Sequence, residues 1–159
     1  MCGLPGCGKT TLARELESRL GAVRLCPDQW MSALAINLWD EAMRARIEAL
    51  QWSLAQRLLV LGNIVIIEWG TWGRSERDAL RLGAHALGAA VELHYLAVPS
   101  DVLWQRIERR AMEAPPISRD HIAEWLKTFQ APTEEEMALF DEPLIANQAL
   151  VSGKPSPIT

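Results

Sequence analysis

Apolar positions recur along the chain with two alternating periods, one typical of helices and one typical of strands. Leu12, Leu16 and Leu20 recur every four residues, which places them on one face of a helix. Residues 64–67 form a continuous β-branched run, typical of a strand buried on both faces, and residues 22–25 form a second short strand. The pattern therefore predicts helices that alternate with strands.

The longest helical pattern lies between these two strands. Charged residues separate its apolar positions, which predicts an amphipathic helix with one stripe facing the core. The stripe consists of Trp39, Met43, Ile47, Leu50, Leu54, Leu58 and Leu61.

The second half of the chain continues the alternation. Ser75 and Asp78 have capping-box spacing for a helix that is expected to end near Gly88, and residues 91–98 are expected to form the next strand. Three further helices are expected to begin near Ser100, Ser118 and Thr133. This order predicts an α/β fold with a mostly parallel sheet covered by helices on both faces.

Size and composition indicate one globular domain. The chain has 159 residues, of which 49% are apolar, so it can bury one substantial core. We assign residues 1–151 to this domain and residues 152–159, which contain two prolines and one glycine, to a flexible tail.

Charge and cysteine usage limit the partners. The formal net charge of −4 gives no general attraction to nucleic acid or to an anionic membrane, so a soluble small-molecule partner is expected. Three cysteines do not indicate a disulfide framework, and no segment indicates export, so a cytoplasmic protein is expected. No apolar run reaches the roughly 18 residues of a membrane span. No feature indicates an oligomer or excludes one.

The most specific feature is the segment GLPGCGKT at residues 3–10, which matches the phosphate-binding pattern G-x-x-x-x-G-K-[ST] at every fixed position. Its glycines allow the backbone to curl around a polyphosphate, Lys9 is expected to reach the β- and γ-phosphates, and the Thr10 hydroxyl is expected to ligate Mg²⁺. ATP and Mg²⁺ are therefore the expected cofactors. The predicted nucleotide-binding residues are Gly3, Leu4, Pro5, Gly6, Cys7, Gly8, Lys9, Thr10 and Thr11.

Only Met1 and Cys2 precede this pattern, although the pattern normally follows a whole buried strand. A missing strand would leave two neighbours without a ladder partner. We therefore expect a truncated first strand. Either the start is truncated or misassigned, or the sheet is one strand short and is completed by other chain or by an oligomer.

Two carboxylates follow predicted strands, at the edge of a parallel sheet where ligands gather. Asp28 is expected to accept a proton from an attacking hydroxyl, and capping of the next helix is an alternative or an additional role. Glu68 is expected to orient Mg²⁺ beside Thr10, and substrate binding or capping is its alternative.

Arg106, Arg109 and Arg110 can share one helix face directly before a proline-broken segment. In phosphoryl transfer, negative charge spreads over the moving group, and guanidinium cations can stabilise it. We therefore expect Arg106 and Arg110 to act in a short lid around residues 106–119. Exposed ion pairs with neighbouring glutamates are the alternative.

Tryptophan occurs seven times, against one tyrosine and two phenylalanines. Trp30, Trp69 and Trp72 lie near the strand ends, and their indoles could form flat walls of an acceptor pocket, with Arg74 as a further substrate contact. Core packing is the alternative for these indoles.

Together these motifs resemble the small P-loop kinases of the group that includes chloramphenicol phosphotransferase, the zeta toxins and the kinase domain of polynucleotide kinases, which are often described as AAA-type ATP-binding proteins. The resemblance covers most of the chain. It rests on residues 3–10, Asp28, residues 64–68 with Thr71 and Arg74, and residues 95–99 leading to Arg106 and Arg110.

The resemblance implies a three-layer P-loop NTPase fold and ATP-dependent phosphorylation of a hydroxyl on a small molecule, such as an antibiotic or a sugar-like metabolite. It places Asp28 in the position of the family's base and the lid arginines on phosphate. The chain departs from the group in its missing first strand, its short lid, and Glu68 where Asp is usual. A nucleic-acid-end kinase and a non-catalytic ATP-binding regulatory protein remain alternatives.

Overall fold

The computed structural model describes residues 1–110 and 115–143. The predicted tail and part of the predicted lid lie outside these residues. Within them, two short strands are separated and followed by helices. The elements are α1 Lys9–Leu20, β1 Val23–Leu25, α2 Pro27–Ala33, α3 Glu41–Val60, β2 Val65–Ile67, α4 Arg74–His85, α5 Ser100–Arg110, α6 Arg119–Thr128 and α7 Glu134–Met137.

The strands lie parallel. In their register Val23 lies opposite Val65 and Leu25 opposite Ile67. Residues 1–3 lie between two other segments. Cys2 forms one parallel bridge with Gly70, which follows β2, and another with Tyr95. The start of the chain thus occupies the centre of a parallel arrangement, and the predicted α/β class is confirmed.

Hydrogen bonds fix residues 1–3 on both sides. The Cys2 N–H donates to the His94 carbonyl at 2.8 Å, and the Leu96 N–H donates to the Cys2 carbonyl at 3.0 Å. On the other side, the Gly3 N–H donates to the Gly70 carbonyl at 3.0 Å. These bonds hold the first glycine of the phosphate-binding pattern at the end of this central segment.

Two strand predictions need correction. Residues 91–98 do not form a regular strand in the structure, and only Tyr95 is bridged, because residues 1–3 are too short to extend the ladder along them. The prediction that residues 64–67 are buried on both faces is also wrong. Ile66 is buried, whereas Ile64 is 36% exposed.

Two helix predictions also need correction. The buried positions of α3 are Ile47, Gln51 and Ala55, and Leu50 of the predicted stripe is 63% exposed. The packed face therefore includes Ile47 of the predicted stripe but is shifted towards Gln51 and Ala55, away from Leu50. Helix α4 begins after Gly73 with no side-chain cap, so the predicted capping box at Ser75 is wrong.

The predicted side-chain caps of α6 and α7 are present in the structure. The Ser118 side chain accepts a hydrogen bond from the His121 N–H at the start of α6. The Thr133 hydroxyl accepts one from the Glu136 N–H at the start of α7, at 3.2 Å. Both predicted helix starts are confirmed.

The core anchors the chain start and the phosphate-binding segment. Leu16 is buried with Met1 and Ile66, and Leu12 and Leu20 pack against that cluster, so the predicted α1 stripe is confirmed. A second cluster joins the phosphate-binding segment to α5 and α6 and consists of Leu4, Cys7, Leu103, Ile107, Ile117 and Ile122. Within the described ranges, no helix is both long enough and apolar enough to cross a membrane.

Candidate active site

The loop formed by residues 3–8 requires glycine for both conformation and space. Gly3 has φ +145° and Gly6 has φ +83°, values that favour glycine. A Cβ on Gly3 would lie 2.7 Å from the Cys7 sulfur, and one on Gly6 would lie 3.1 Å from the Leu103 carbonyl oxygen. The chain can therefore make this tight loop only with its glycines in place.

Helix α1 begins directly after the loop, with Gly8 as its N-cap residue. The first N–H groups of a helix have no intrahelical acceptor, and the helix dipole adds partial positive charge at this end. The Lys9 ammonium also lies at the loop, where it donates to the carbonyls of Gly3 at 2.9 Å and Leu4 at 3.0 Å. This combination is suited to binding phosphate.

A second cation reaches the same loop from α5. One Nη of Arg106 lies 3.3 Å from each of the carbonyl oxygens of Gly6 and Cys7, and donates to both. Arg110 lies one turn further along this helix, at its exposed end before residues 111–114. The structure thus brings Arg106 to the phosphate-binding loop.

Thr10 and Glu68 lie together, although they are 58 positions apart in sequence. The Thr10 hydroxyl donates to one carboxylate oxygen of Glu68. The other oxygen accepts from Arg24 at 2.6 Å, in a pair whose side chains are 7% and 3% exposed. Arg24 is not among the site residues predicted from the sequence, although a single charge within a three-residue strand is a usable signal.

This pair supplies the oxygen donors that Mg²⁺ prefers. No group of three or more His, Cys, Asp or Glu side chains in the described ranges could hold a metal alone. Mg²⁺ usually takes one or two protein ligands and completes its shell with phosphate oxygens and water. The Thr10 hydroxyl and the Glu68 carboxylate therefore fit a magnesium–nucleotide site.

Asp28 lies in the first turn of α2, and its side chain is 57% exposed. Helix α2 begins at Pro27 with Cys26 as the N-cap residue and without a side-chain cap, so the capping alternative for Asp28 is wrong. The carboxylate instead pairs with Arg44 of α3 at 2.7 Å. Asp28 is thus held by a partner while remaining accessible to a ligand.

Arg24 links the Thr10–Glu68 pair to α2. Its guanidinium donates to the side-chain oxygen of Gln29, the neighbour of Asp28, at 2.7 Å. Arg24 of β1 therefore connects the Glu68 carboxylate to α2, the helix that carries Asp28.

A second carboxylate, Glu48, lies near Asp28, and Glu76 lies near Glu48. Burial raises the pKa of Glu48 to about 7; Arg44 opposes this shift, and the charges of Glu76 and Asp28 add to it. Burial also raises the pKa of Glu76. Arg44 and Glu48 are not among the predicted site residues, because their position depends on how α3 packs against α2. Their surroundings are unfavourable for a polyanionic ligand.

The three predicted pocket tryptophans have different environments. Trp30 is partly buried in α2. The Trp69 indole N–H donates to the Gln51 side-chain oxygen at 2.8 Å, and the Gln51 amide nitrogen is buried and has no partner among the described residues. Trp72 packs edge-on against Trp125 of α6, with ring centroids 5.7 Å apart.

Arg74 lies at the start of α4. Its Nε donates to Asp78 at 3.2 Å and lies 3.8 Å from Glu136 of α7. These side-chain partners are therefore carboxylates of α4 and α7.

Comparison with known proteins places this geometry in a family. The model of the AAA domain family matches residues 1–132. A gluconokinase from Sinorhizobium meliloti 1021 matches with a TM-score of 0.59 and 20% identity, over 84% of this chain and 75% of that chain. The likeness shows the α/β fold of P-loop NTPases. The search of curated proteins finds no match. Because the family model covers most of its length, the chain belongs to the AAA domain family.

Proposed function

We propose that this protein is an ATP-dependent phosphotransferase that moves the γ-phosphoryl group to a hydroxyl of a small molecule. The observation that carries the proposal is the convergence of Lys9, Arg106 and the start of α1 on one glycine-built loop. The fold likeness to a gluconokinase supports a kinase.

The donor side follows from the loop. Backbone N–H groups and Lys9 bind the β- and γ-phosphates, while Arg106 stabilises the charge that spreads over the moving group. Arg110 is proposed to assist on the same helix face. Thr10 and Glu68 would hold Mg²⁺, which would supply positive charge that neutralises the phosphates.

The acceptor side centres on Asp28. The acceptor oxygen forms a bond to the γ-phosphorus, the bond from that phosphorus to the bridging oxygen breaks, and ADP leaves. Asp28 takes the hydroxyl proton, and Arg44 orients its carboxylate.

The charges near Asp28 favour a neutral or cationic acceptor, such as a sugar-like metabolite or an antibiotic. Glu48 and Glu76 interact with one another, and Glu48 also interacts with Asp28. A nucleic-acid end would bring several phosphates into these surroundings, so this alternative is less favoured. Trp30 and Trp69 are proposed to contact the acceptor.

The test is a screen for ADP release over hydroxyl-bearing metabolites and antibiotics, followed by Asp28→Asn with the best acceptor. General-base catalysis contributes roughly 10² to 10⁴ in rate, so turnover should fall by at least about a hundredfold while ATP·Mg²⁺ affinity stays near normal. Asp120→Asn, an exposed first-turn aspartate of α6, is the matched control and should turn over normally.

Normal turnover in Asp28→Asn would show that the base lies elsewhere. Tight ATP binding with no acceptor-dependent ADP release across the screen would favour the non-catalytic regulatory alternative.

A further inference from the structure

The turn that follows β2 lies between two parts of the nucleotide site. Glu68 precedes this turn, and the Gly70 carbonyl within it accepts a hydrogen bond from the Gly3 N–H at 3.0 Å. The next residue, Thr71, is 4% exposed, and its hydroxyl donates to the Met1 carbonyl at 3.1 Å. The position of the turn therefore sets how Glu68 lies relative to the first glycine of the phosphate-binding loop.

Thr71 holds the turn in a conformation that its side chain does not favour. Its φ is +39°, in the left-handed region, where a β-branched residue is an outlier. Such a conformation persists only where the surrounding contacts over-determine it, and it is typical of functional sites. Thr71 therefore needs partners that hold its backbone in place.

Arg77 of α4 supplies such contacts. One Nη donates to the Thr71 carbonyl at 2.9 Å and to the Trp72 carbonyl at 3.1 Å. The Nε and the other Nη donate to the two carboxylate oxygens of Glu136, at 2.6 and 2.9 Å. The side chains of Arg77 and Glu136 are each 1% exposed. One buried guanidinium thus ties the turn to both α4 and α7.

Stability alone does not account for this arrangement. A buried ion pair is weak evidence for stability, because apolar residues of similar volume often replace it without loss. An ion pair between α4 and α7 would also need only the two nitrogens that face Glu136. The third nitrogen binds the carbonyls of the strained turn, and no apolar side chain could do so.

We propose that Arg77 is a positioning residue of the nucleotide site, which fixes the turn at Thr71 so that Glu68 and Gly3 are held in place for ATP·Mg²⁺. Glu136 orients the guanidinium for this role. Because the turn joins groups that bind the phosphates and the metal, the role of Arg77 rests on the donor side of the proposed function.

The test measures melting temperature and ATP·Mg²⁺ affinity, by titration, in two variants of the full chain. Arg77→Met with Glu136→Leu replaces the buried pair with apolar side chains, so this double variant should melt close to the wild type. Its dissociation constant for ATP·Mg²⁺ should nevertheless rise roughly tenfold, because two charge-assisted hydrogen bonds to the turn are lost. Arg77→Lys keeps a cation beside Glu136 but loses the planar fork that reaches both partners, so its affinity should fall to a similar degree.

Two further variants separate positioning from packing. Arg81→Met removes another cation of α4, which contacts Asp78 and the Phe140 ring, and it should bind ATP·Mg²⁺ like the wild type. Thr71→Asn added to the double variant should recover part of the lost affinity, because asparagine tolerates the left-handed region better than threonine. A loss of packing between α4 and α7 would not be repaired by that change.

Wild-type ATP·Mg²⁺ affinity in the folded double variant would overturn the inference. Wild-type affinity in Arg77→Lys would overturn it even if the double variant does not fold, and an affinity that Thr71→Asn leaves unchanged would assign the loss to packing and overturn it as well. All three results leave the proposed function intact, because the wild type still binds the nucleotide. If the wild type itself does not bind ATP·Mg²⁺, the proposed function fails, and the role of Arg77 fails with it.

Discussion

Replacing Arg24 with Met tests the connection between β1 and the Glu68 carboxylate. Arg24 and Glu68 form a 2.6 Å ion pair with side chains 7% and 3% exposed. Arg24→Met retains an unbranched side chain but leaves the Glu68 carboxylate buried beside Thr10 without its cation. Breaking a buried pair in this way costs about 3–5 kcal/mol. For a chain of this length, that cost corresponds to a fall of roughly 10 °C in melting temperature.

The double variant Arg24→Met with Glu68→Gln separates loss of charge pairing from loss of packing. The amide removes the uncompensated charge, so the double variant should recover much of the stability lost in Arg24→Met. Arg19→Met is the matched control, because Arg19 pairs with Glu15 at 3.0 Å in a setting where both side chains are more than half exposed. It should melt close to the wild-type temperature.

Thermal unfolding followed by circular dichroism measures all of these variants. The reasoning is refuted if Arg24→Met melts with Arg19→Met, or if adding Glu68→Gln lowers stability further instead of restoring it. The single variant Glu68→Gln also reports on function. It should weaken ATP binding in the presence of Mg²⁺ more than in its absence, as titration with and without the metal would show.

Three further predictions concern single sites. Lys9→Ala should lose most of the thermal stabilisation by ATP while melting normally without it, and an unchanged ATP effect would contradict the loop assignment. Arg106→Ala and Arg110→Ala should lower turnover more than ATP affinity, because their contacts strengthen in the transition state; wild-type turnover in both would return them to surface ion pairs. The raised pKa of Glu48 means that the folded state holds a proton which the unfolded state has lost between pH 4.5 and about 7. Wild-type stability should therefore fall as pH rises through that window and level off above it, and melting curves of Glu48→Gln should lack this decline while those of Glu41→Gln retain it.

The phosphate-binding loop could be predicted because its chemistry depends on adjacent residues. Gly3, Gly6 and Lys9 are fixed relative to one another by chain geometry alone. The caps at Ser118 and Thr133 are local in the same way, since each contacts an N–H three positions later.

The acceptor side could not be predicted, because its contacts depend on how distant elements pack. Arg24 meets Glu68 only because β1 and β2 pair in one particular register. Arg44 meets Asp28 only because α3 packs against α2, a contact between elements that no local pattern fixes. The catalytic roles of Asp28 and Arg106 remain predictions.

Ring contacts between Trp39, His121 and Trp125 make tryptophan fluorescence a probe of how α6 is placed. Trp39 lies between α2 and α3, and its indole N–H donates to the Pro115 carbonyl at 2.9 Å, in the segment between α5 and α6. The Trp39 ring lies 4.9 Å from His121 and 6.4 Å from Trp125. Indole emission is sensitive to neighbouring rings at such distances. A rearrangement that moves α6 relative to the chain after α2 would therefore change the intrinsic fluorescence, so ligand binding at either side of the site could be followed without a label.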